Sequence, residues 1–123
     1  FSQSYIGKDG EDPTTTASDI ALFFEKLYKG QMINSTYANT MLDLLKQQKL
    51  NEKIPKYLPD SVPVAHKTGE LEGVTHDAGI IYAPNSPYIL VALSDSDSPD
   101  FANERIAAVS QAVYNFFIPQ NQN

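Results

Sequence analysis

No cysteine occurs among these 123 residues. That excludes a disulfide scaffold and a thiolate metal site, and leaves open both a reducing cytosol and the secreted proteins that avoid thiols. Basic charge is also short: 9 Lys and Arg stand against 15 Asp and Glu, for a net charge of -6. With no Lys/Arg cluster to neutralise a run of phosphates, nucleic acid is not an expected partner. Nothing in the charge pattern draws the chain to an anionic membrane, and no apolar run is long enough to span one. A starting Met and a basic-then-apolar leader are lacking too, so the chain, opening on Phe1, reads as a mature or excised segment. Its length suits one core and is too short for two ordinary domains.

What is present is an ordered succession of patterns. Residues 1–15 are polar, carry the stretch "GKDGEDP" and read as a loop. In "TTTASDIALFFEKLYKG", Thr16 stands as N-cap with Asp19 three residues on. Ile20, Phe23, Phe24 and Leu27 recur at helical spacing, and Gly30 terminates the pattern. "NSTYANTMLDLLKQQ" repeats the logic, with Asn34 or Ser35 capping and Tyr37, Met41, Leu44 and Leu45 as the expected inward face. This helix pair occupies 16–48. Residues 49–61 are Pro-rich and form an irregular connection, anchored by Ile54, Tyr57 and Leu58.

From residue 62 the period changes to alternation. Residues 62–68, 77–82 and 88–93 are β-branched and aromatic runs separated by the turn-grade segments "GELEGV" and "APNSP", which predicts an antiparallel three-stranded meander over 62–93. "AGIIYA" and "YILVAL" are apolar on both faces, so cover is expected on both sides there. A helix follows at 99–118, with Ile106, Val109, Val113, Phe116 and Phe117 on one stripe and Pro119 as its end. The fold class is α/β of the α+β type, a single unit with the last helix packed on the meander. The run holding Asp95, Asp97 and Asp100 lacks the glycine and terminal glutamate of a calcium loop and reads as a solvated acidic turn. No metal and no cofactor is expected.

Chemistry concentrates at "HKTGE", residues 66–70. Consecutive strand side chains point to opposite faces, so Lys67 and Thr68 cannot both enter a pocket over one face, but both can serve a ligand beside the strand's edge. An edge strand also leaves amides and carbonyls that can bind an extended or carbonyl-bearing ligand. Gly69 suits a place where a backbone or substrate comes too close for a Cβ. The N–H of Glu70 is then a candidate oxyanion donor. His66, alternating with Val64 and Thr68, reads as structural or solvated, and Asp77 as a residue that pins a turn or strand end.

The stretch "VAHKTGELEGVTHDAGIIYAP", preceded by "EDPTTTASDIALFFEKLYKG" and followed by a strand and a terminal helix, resembles the C-terminal part of a class A β-lactamase-like serine hydrolase. The Lys-Thr-Gly box is shared by that family and the penicillin-binding proteins, and the order of elements agrees across nearly the whole chain. The resemblance implies a partial β-lactamase/transpeptidase-like fold, an extracytoplasmic location, and β-lactams or peptidoglycan stem peptides as substrates of the full enzyme. It implies roles as well. Lys67 supplies positive potential and bonds a hydroxyl of the proton-relay wall, Thr68 binds the substrate's carboxylate, and Glu70 gives its N–H to the oxyanion hole. Many members carry a basic side chain on the next strand to anchor that carboxylate; here the matching place reads Thr75-His76, so His76 is the candidate, with a charge that depends on pH.

The family's other motifs are not in the sequence. No serine is followed three places later by lysine, and Ser18-Asp19, Ser94-Asp95 and Ser96-Asp97 are not followed by asparagine. Tyr37-Ala38-Asn39 has the look of a relay triplet but falls at the start of an amphipathic helix. The expectation is therefore a C-terminal portion that is inactive alone and lacks the preceding half of the enzyme. The alternative is a non-catalytic module that keeps the sheet edge for peptide binding or assembly. Either way, the edge at 88–93 is expected to recruit a companion fragment, a dimer partner or an exchanged strand.

Overall fold

The computed structural model describes Phe1 and residues 3–118. Helix α1 (Ala17–Tyr28) starts as its sequence dictates: Thr16 is extended, and its Oγ1 accepts the Asp19 N–H at 3.2 Å, satisfying one of the amides that a helix N-terminus leaves unpaired. Gly30, at φ 67°, follows the helix in a conformation that strains other residues. The Asp19 carboxylate reaches back to the preceding loop, accepting from the Gln3 N–H at 3.1 Å and the Ser4 hydroxyl at 2.7 Å.

Helix α2 (Ser35–Leu45) is capped by Asn34, whose Oδ1 accepts the Tyr37 N–H at 3.0 Å. Its inward face is rotated from the expected one. Ala38 and Leu42 are buried with Met41 and Leu45 beside them, whereas Tyr37 and Leu44 are exposed. Residues 37, 41, 44 and 45 keep helical spacing as well, but the stripe that meets the core is the neighbouring one, 38, 41, 42 and 45, turned by about one position toward the small Ala38.

Strands β1 (Val64–Leu71), β2 (Val74–Ile81) and β3 (Tyr88–Asp95) form an antiparallel sheet in the order β1-β2-β3, with Thr68 opposite Asp77 and Asp77 opposite Ala92. The first hairpin is longer than expected. Most of "GELEGV" is strand, and the turn is only Glu72 and Gly73, with Gly73 at φ 78°. Ladder hydrogen bonds hold Gly69 and Thr75 extended whatever their polarity, and Glu70 is carried along between bonded neighbours, so hydrophobic alternation undercounts the strand.

Alternation sends Ala65, Ala78, Ile80, Ile89 and Val91 to one face, where they meet Phe24, Leu27, Ala38 and Leu42 of the helix pair. Val64, Ile81, Tyr88, Leu90 and Ala92 go to the other face, where they meet Ile54 and Leu58 of the connection, Val62 just ahead of β1, and Ile106 of helix α3 (Pro99–Phe117). The sheet is thus the middle of three layers. β2 is almost wholly buried, as expected, but β3 is only half-buried. Tyr57 anchors the connection differently from Ile54 and Leu58: it stays exposed, and its hydroxyl donates to Glu104 of α3.

Helix α3 also turns a different stripe inward. Ala102, Ile106, Ala107 and Ser110 are buried, while Val109 and Phe116 are exposed and Val113 is half-buried. Small residues line the side that approaches the sheet, so the largest apolar residues do not mark it. Phe117 is still half-exposed while stacking on Tyr88 at 4.8 Å between ring centroids. Pro119, the expected helix end, lies outside the described residues. Among the described residues, no helix is long and apolar enough to cross a membrane.

Candidate functional site

Among the described residues, β1 has a strand neighbour on one side only. One hydrogen bond decides which of its backbone groups point to the open side. Tyr82 N–H donates to the Pro63 carbonyl at 2.9 Å, so positions 63 and 82 form a hydrogen-bonded pair. Such pairs alternate with non-hydrogen-bonded ones in an antiparallel ladder, and the register from Val64 opposite Ile81 to Leu71 opposite Val74 carries the phase along β1. Ala65, Lys67, Gly69 and Leu71 therefore face β2, and the N–H and C=O groups of Val64, His66, Thr68 and Glu70 point outward. The connection covers the start of this edge, where Asn51 reaches His66 and leaves it 1% exposed. From Lys67 onward the edge is open.

The five residues singled out in the sequence fall on this stretch but not on one face. Lys67 is exposed, and its ammonium donates to the outward carbonyl of Thr68. Thr68 projects to the α3 side and is 6% exposed. A Cβ built on Gly69 meets nothing nearer than His76 at 3.9 Å, so the protein's own packing does not require glycine there. His76 lies on the face of Lys67, half-buried, and its Nδ1 accepts the Ser94 N–H at 3.0 Å, which leaves Nε2 as the ring nitrogen available to a ligand. Lys67, Gly69 and His76 line a cavity of about 400 Å³ whose other walls include Phe23, Met41 and Leu93. Thr68 and Glu70 send their side chains to the opposite face.

Beneath that opposite face runs a buried polar network. His66 Nδ1 bonds Asp77 Oδ1 at 2.9 Å, Asp77 Oδ2 accepts the Ile54 N–H at 3.0 Å, and the Ser110 hydroxyl donates to the Ile54 carbonyl at 2.8 Å. These bonds join β1, β2, the connection and α3. Asp77 serves as the expected pin, though what it pins is the connection.

Lys53, which no sequence pattern distinguishes from the other lysines, is 2% exposed, with its Nζ 2.5 Å from Glu70 Oε1 and donating to the His76 carbonyl at 3.3 Å. The hydrogen bond and charge of Lys53 hold the Glu70 carboxyl below its ordinary range. Nor does any sequence pattern mark Gly79. A Cβ there would stand 2.4 Å from the Ala65 carbonyl and 2.6 Å from His66 Cβ, so only glycine lets the two strands and the His66–Asp77 pair come together.

Chemically, the open half of β1 offers a cation, an outward carbonyl already engaged by that cation, and outward amides at Thr68 and Glu70. Such an edge can hydrogen-bond a carbonyl oxygen or an extended chain.

Residues 2–117 match the family model described as beta-lactamase enzyme family. Among solved structures, TLA-1 extended spectrum beta-lactamase is 27% identical, with a TM-score of 0.75 over 85% of this chain and 42% of that one. PBP-A, as a mutant in an acyl-enzyme complex with penicillin G, is 25% identical, with a TM-score of 0.81 over 96% of this chain and 47% of that one. A beta-lactamase from Sphaerobacter thermophilus, 23% identical, shares the fold with a TM-score of 0.83 over 93% of this chain and 45% of that one. The chain spans less than half the length of each of these three. No curated protein matches it.

Proposed function

Because this chain belongs to the beta-lactamase enzyme family, we propose that it provides the Lys-Thr-Gly edge of a serine hydrolase acting on β-lactams or on peptidoglycan stem peptides. The observation that carries this reading is the outward N–H of Glu70 on an open strand edge, beside the exposed Lys67.

In this role the Glu70 N–H donates to the substrate's carbonyl oxygen as attack places negative charge on it. A preorganised donor of this kind is worth about 3 kcal/mol of barrier. Lys67 adds positive potential and orients a hydroxyl of the proton relay, Thr68 receives the substrate's carboxylate, and Gly69 leaves room for the ligand. His76 contacts the ligand from the Lys67 side. The nucleophile comes from outside these 123 residues, since no serine here precedes a lysine by three positions. By resemblance to its family, the protein works outside the cytoplasm, and a companion segment or second copy covers the outer edge of β3.

The test is acylation by a fluorescent penicillin together with hydrolysis of a chromogenic cephalosporin. Each is measured on the chain alone and on the chain combined with a segment that carries a Ser-x-x-Lys helix. Signal in the combination alone is expected. If the folded combination gives neither label nor hydrolysis, the enzyme reading falls and the edge is left to a non-catalytic binding role.

A further inference from the structure

His66 and Asp77 form a buried titratable pair to which the reading above gives no chemical role. Both ring nitrogens of His66 meet oxygen: Nδ1 stands 2.9 Å from Asp77 Oδ1, and Nε2 stands 3.3 Å from Asn51 Oδ1. An ionised carboxylate and an amide oxygen only accept, so both bonds are made only when both nitrogens carry hydrogen and the ring is a cation.

The carboxylate needs that cation. Asp77 is 0% exposed, and a charge withdrawn from water has to be paired. Among the described residues, its one ion-pair partner is His66. Lys53 of the connection is taken by Glu70 at 2.5 Å. Helix α3 adds the uncharged Ser110, which bonds the Ile54 carbonyl, and β3 sets Ala92 opposite Asp77. Lys46 of α2 and Glu52, Lys56 and Asp60 of the connection share a cavity of about 490 Å³ with His66, but they are exposed and screened by water.

The pair lies next to the place assigned to a ligand carboxylate. Thr68 stands opposite Asp77 in the register, at a non-hydrogen-bonded position, where facing side chains approach closely. His66, two positions earlier on β1, projects to the same face. A carboxylate received by Thr68 therefore comes close to Asp77, and the second proton of His66 decides whether it meets a bare anion or a neutral pair.

We propose that His66 is a positioning residue for the ligand: as a cation it cancels the buried charge of Asp77 and so lets Thr68 hold a carboxylate. The inference rests on the reading of β1 as a ligand edge and on the role given there to Thr68. The ring itself does not touch the ligand. If it loses its second proton, Asp77 keeps the hydrogens of His66 Nδ1 and the Ile54 amide but repels an incoming anion. The Glu70 N–H and the Lys67 side of the strand are unchanged, so what alters is the preference for a charged ligand.

The test uses the 123-residue chain and two probes that differ in charge at one end, N-acetyl-D-alanyl-D-alanine and its C-terminal carboxamide. Backbone amide shifts of Thr68 and Glu70 report binding, and the ring nitrogen shifts of His66 report its hydrogens. In the acid-bound wild type both ring nitrogens should be protonated. His66→Gln, which keeps hydrogen-bonding groups without charge, should weaken the acid about tenfold relative to the carboxamide, the size of one charge–charge interaction at a protein edge. Adding Asp77→Asn should restore the ratio, which a merely structural role would not do. An acid-to-carboxamide ratio that His66→Gln leaves unchanged overturns the proposal while leaving the edge reading intact. So does a ratio that stays low in the double variant, a ring with one protonated nitrogen in the acid-bound protein, or a wild type that binds the carboxamide alone. If neither probe shifts the β1 amides in any variant, the edge reading falls and takes the proposal with it. Should the variants not fold, the ring of the acid-bound wild type decides.

Discussion

His66 Nδ1 and Asp77 Oδ1 lie 2.9 Å apart between β1 and β2, on side chains that are 1% and 0% exposed. Through its other oxygen, Asp77 also holds the Ile54 amide at 3.0 Å. One carboxylate thereby joins two strands to the connection that places Lys53 under the edge.

Asp77→Ala should destabilise the chain by about 3–4 kcal/mol, because it leaves the Ile54 N–H and the His66 ring nitrogen buried without their partner. A urea midpoint equal to wild type would show that this pair does not hold the connection.

Gly79 and Gly69 should respond oppositely to alanine. At Gly79 the new Cβ would stand 2.4 Å from the Ala65 carbonyl and force the strands apart, at a cost of about 2–3 kcal/mol or more. At Gly69 the nearest atom is 3.9 Å away, so Gly69→Ala should change stability by less than about 1 kcal/mol. Thermal unfolding of the two variants checks both. If Gly69→Ala keeps its stability yet weakens acylation by the fluorescent penicillin in the combined protein, the glycine there serves the ligand.

Tyr88→Phe should stabilise the chain by about 1 kcal/mol at neutral pH, since the buried Tyr88 hydroxyl finds no hydrogen-bond partner among the described residues. Burial, with Tyr114 nearby, pushes the phenol up to about 12 from its ordinary 10.0. A raised value in the folded state means a contribution that is complete below pH 10 and lost as the pH climbs towards 12. The advantage of the Phe variant should therefore widen over that interval in denaturant titrations, and a constant difference would contradict the assignment.

Among the described residues, β3 has a strand neighbour on one side only, and its outer edge carries backbone groups that point away from the sheet at alternate positions. The Ser96 N–H donates to the Gly73 carbonyl at 2.8 Å, which with the β2–β3 register turns the amides of Ile89, Val91 and Leu93 away from β2. Bare edges of half-buried apolar strands recruit partners. Light scattering of the 123-residue chain should show a dimer or larger species that responds to dilution. A monomer that persists across the concentration range would remove the expected companion.

Much of the fold was legible because its signals are local. Thr16 and Asn34 cap their helices with the atoms their identities provide, and Gly30 follows the first helix at positive φ. The three strands appear in order because β-branched runs alternate between turn residues. The inward faces of α2 and α3 are not legible in the sequence for a physical reason: close packing selects small residues at the contact, such as Ala38, Ala102 and Ser110, whereas hydropathy ranks Tyr37, Leu44, Val109 and Phe116 above them. The full length of the hairpin is not legible either, because polar members such as Gly69 and Thr75 are held by ladder bonds that leave no apolar signature.

The sequence by itself determined that the chain carries a Lys-Thr-Gly box on a strand, between capped helices and a terminal helix, since capping and alternation act over a few neighbouring residues. Only the tertiary structure decided which faces those residues take and which backbone groups look outward, because strand phase depends on a pairing made from Pro63 to Tyr82. It alone brought Lys53 under Glu70, 17 residues away in the chain, since the burial of a charge depends on how distant segments close around it.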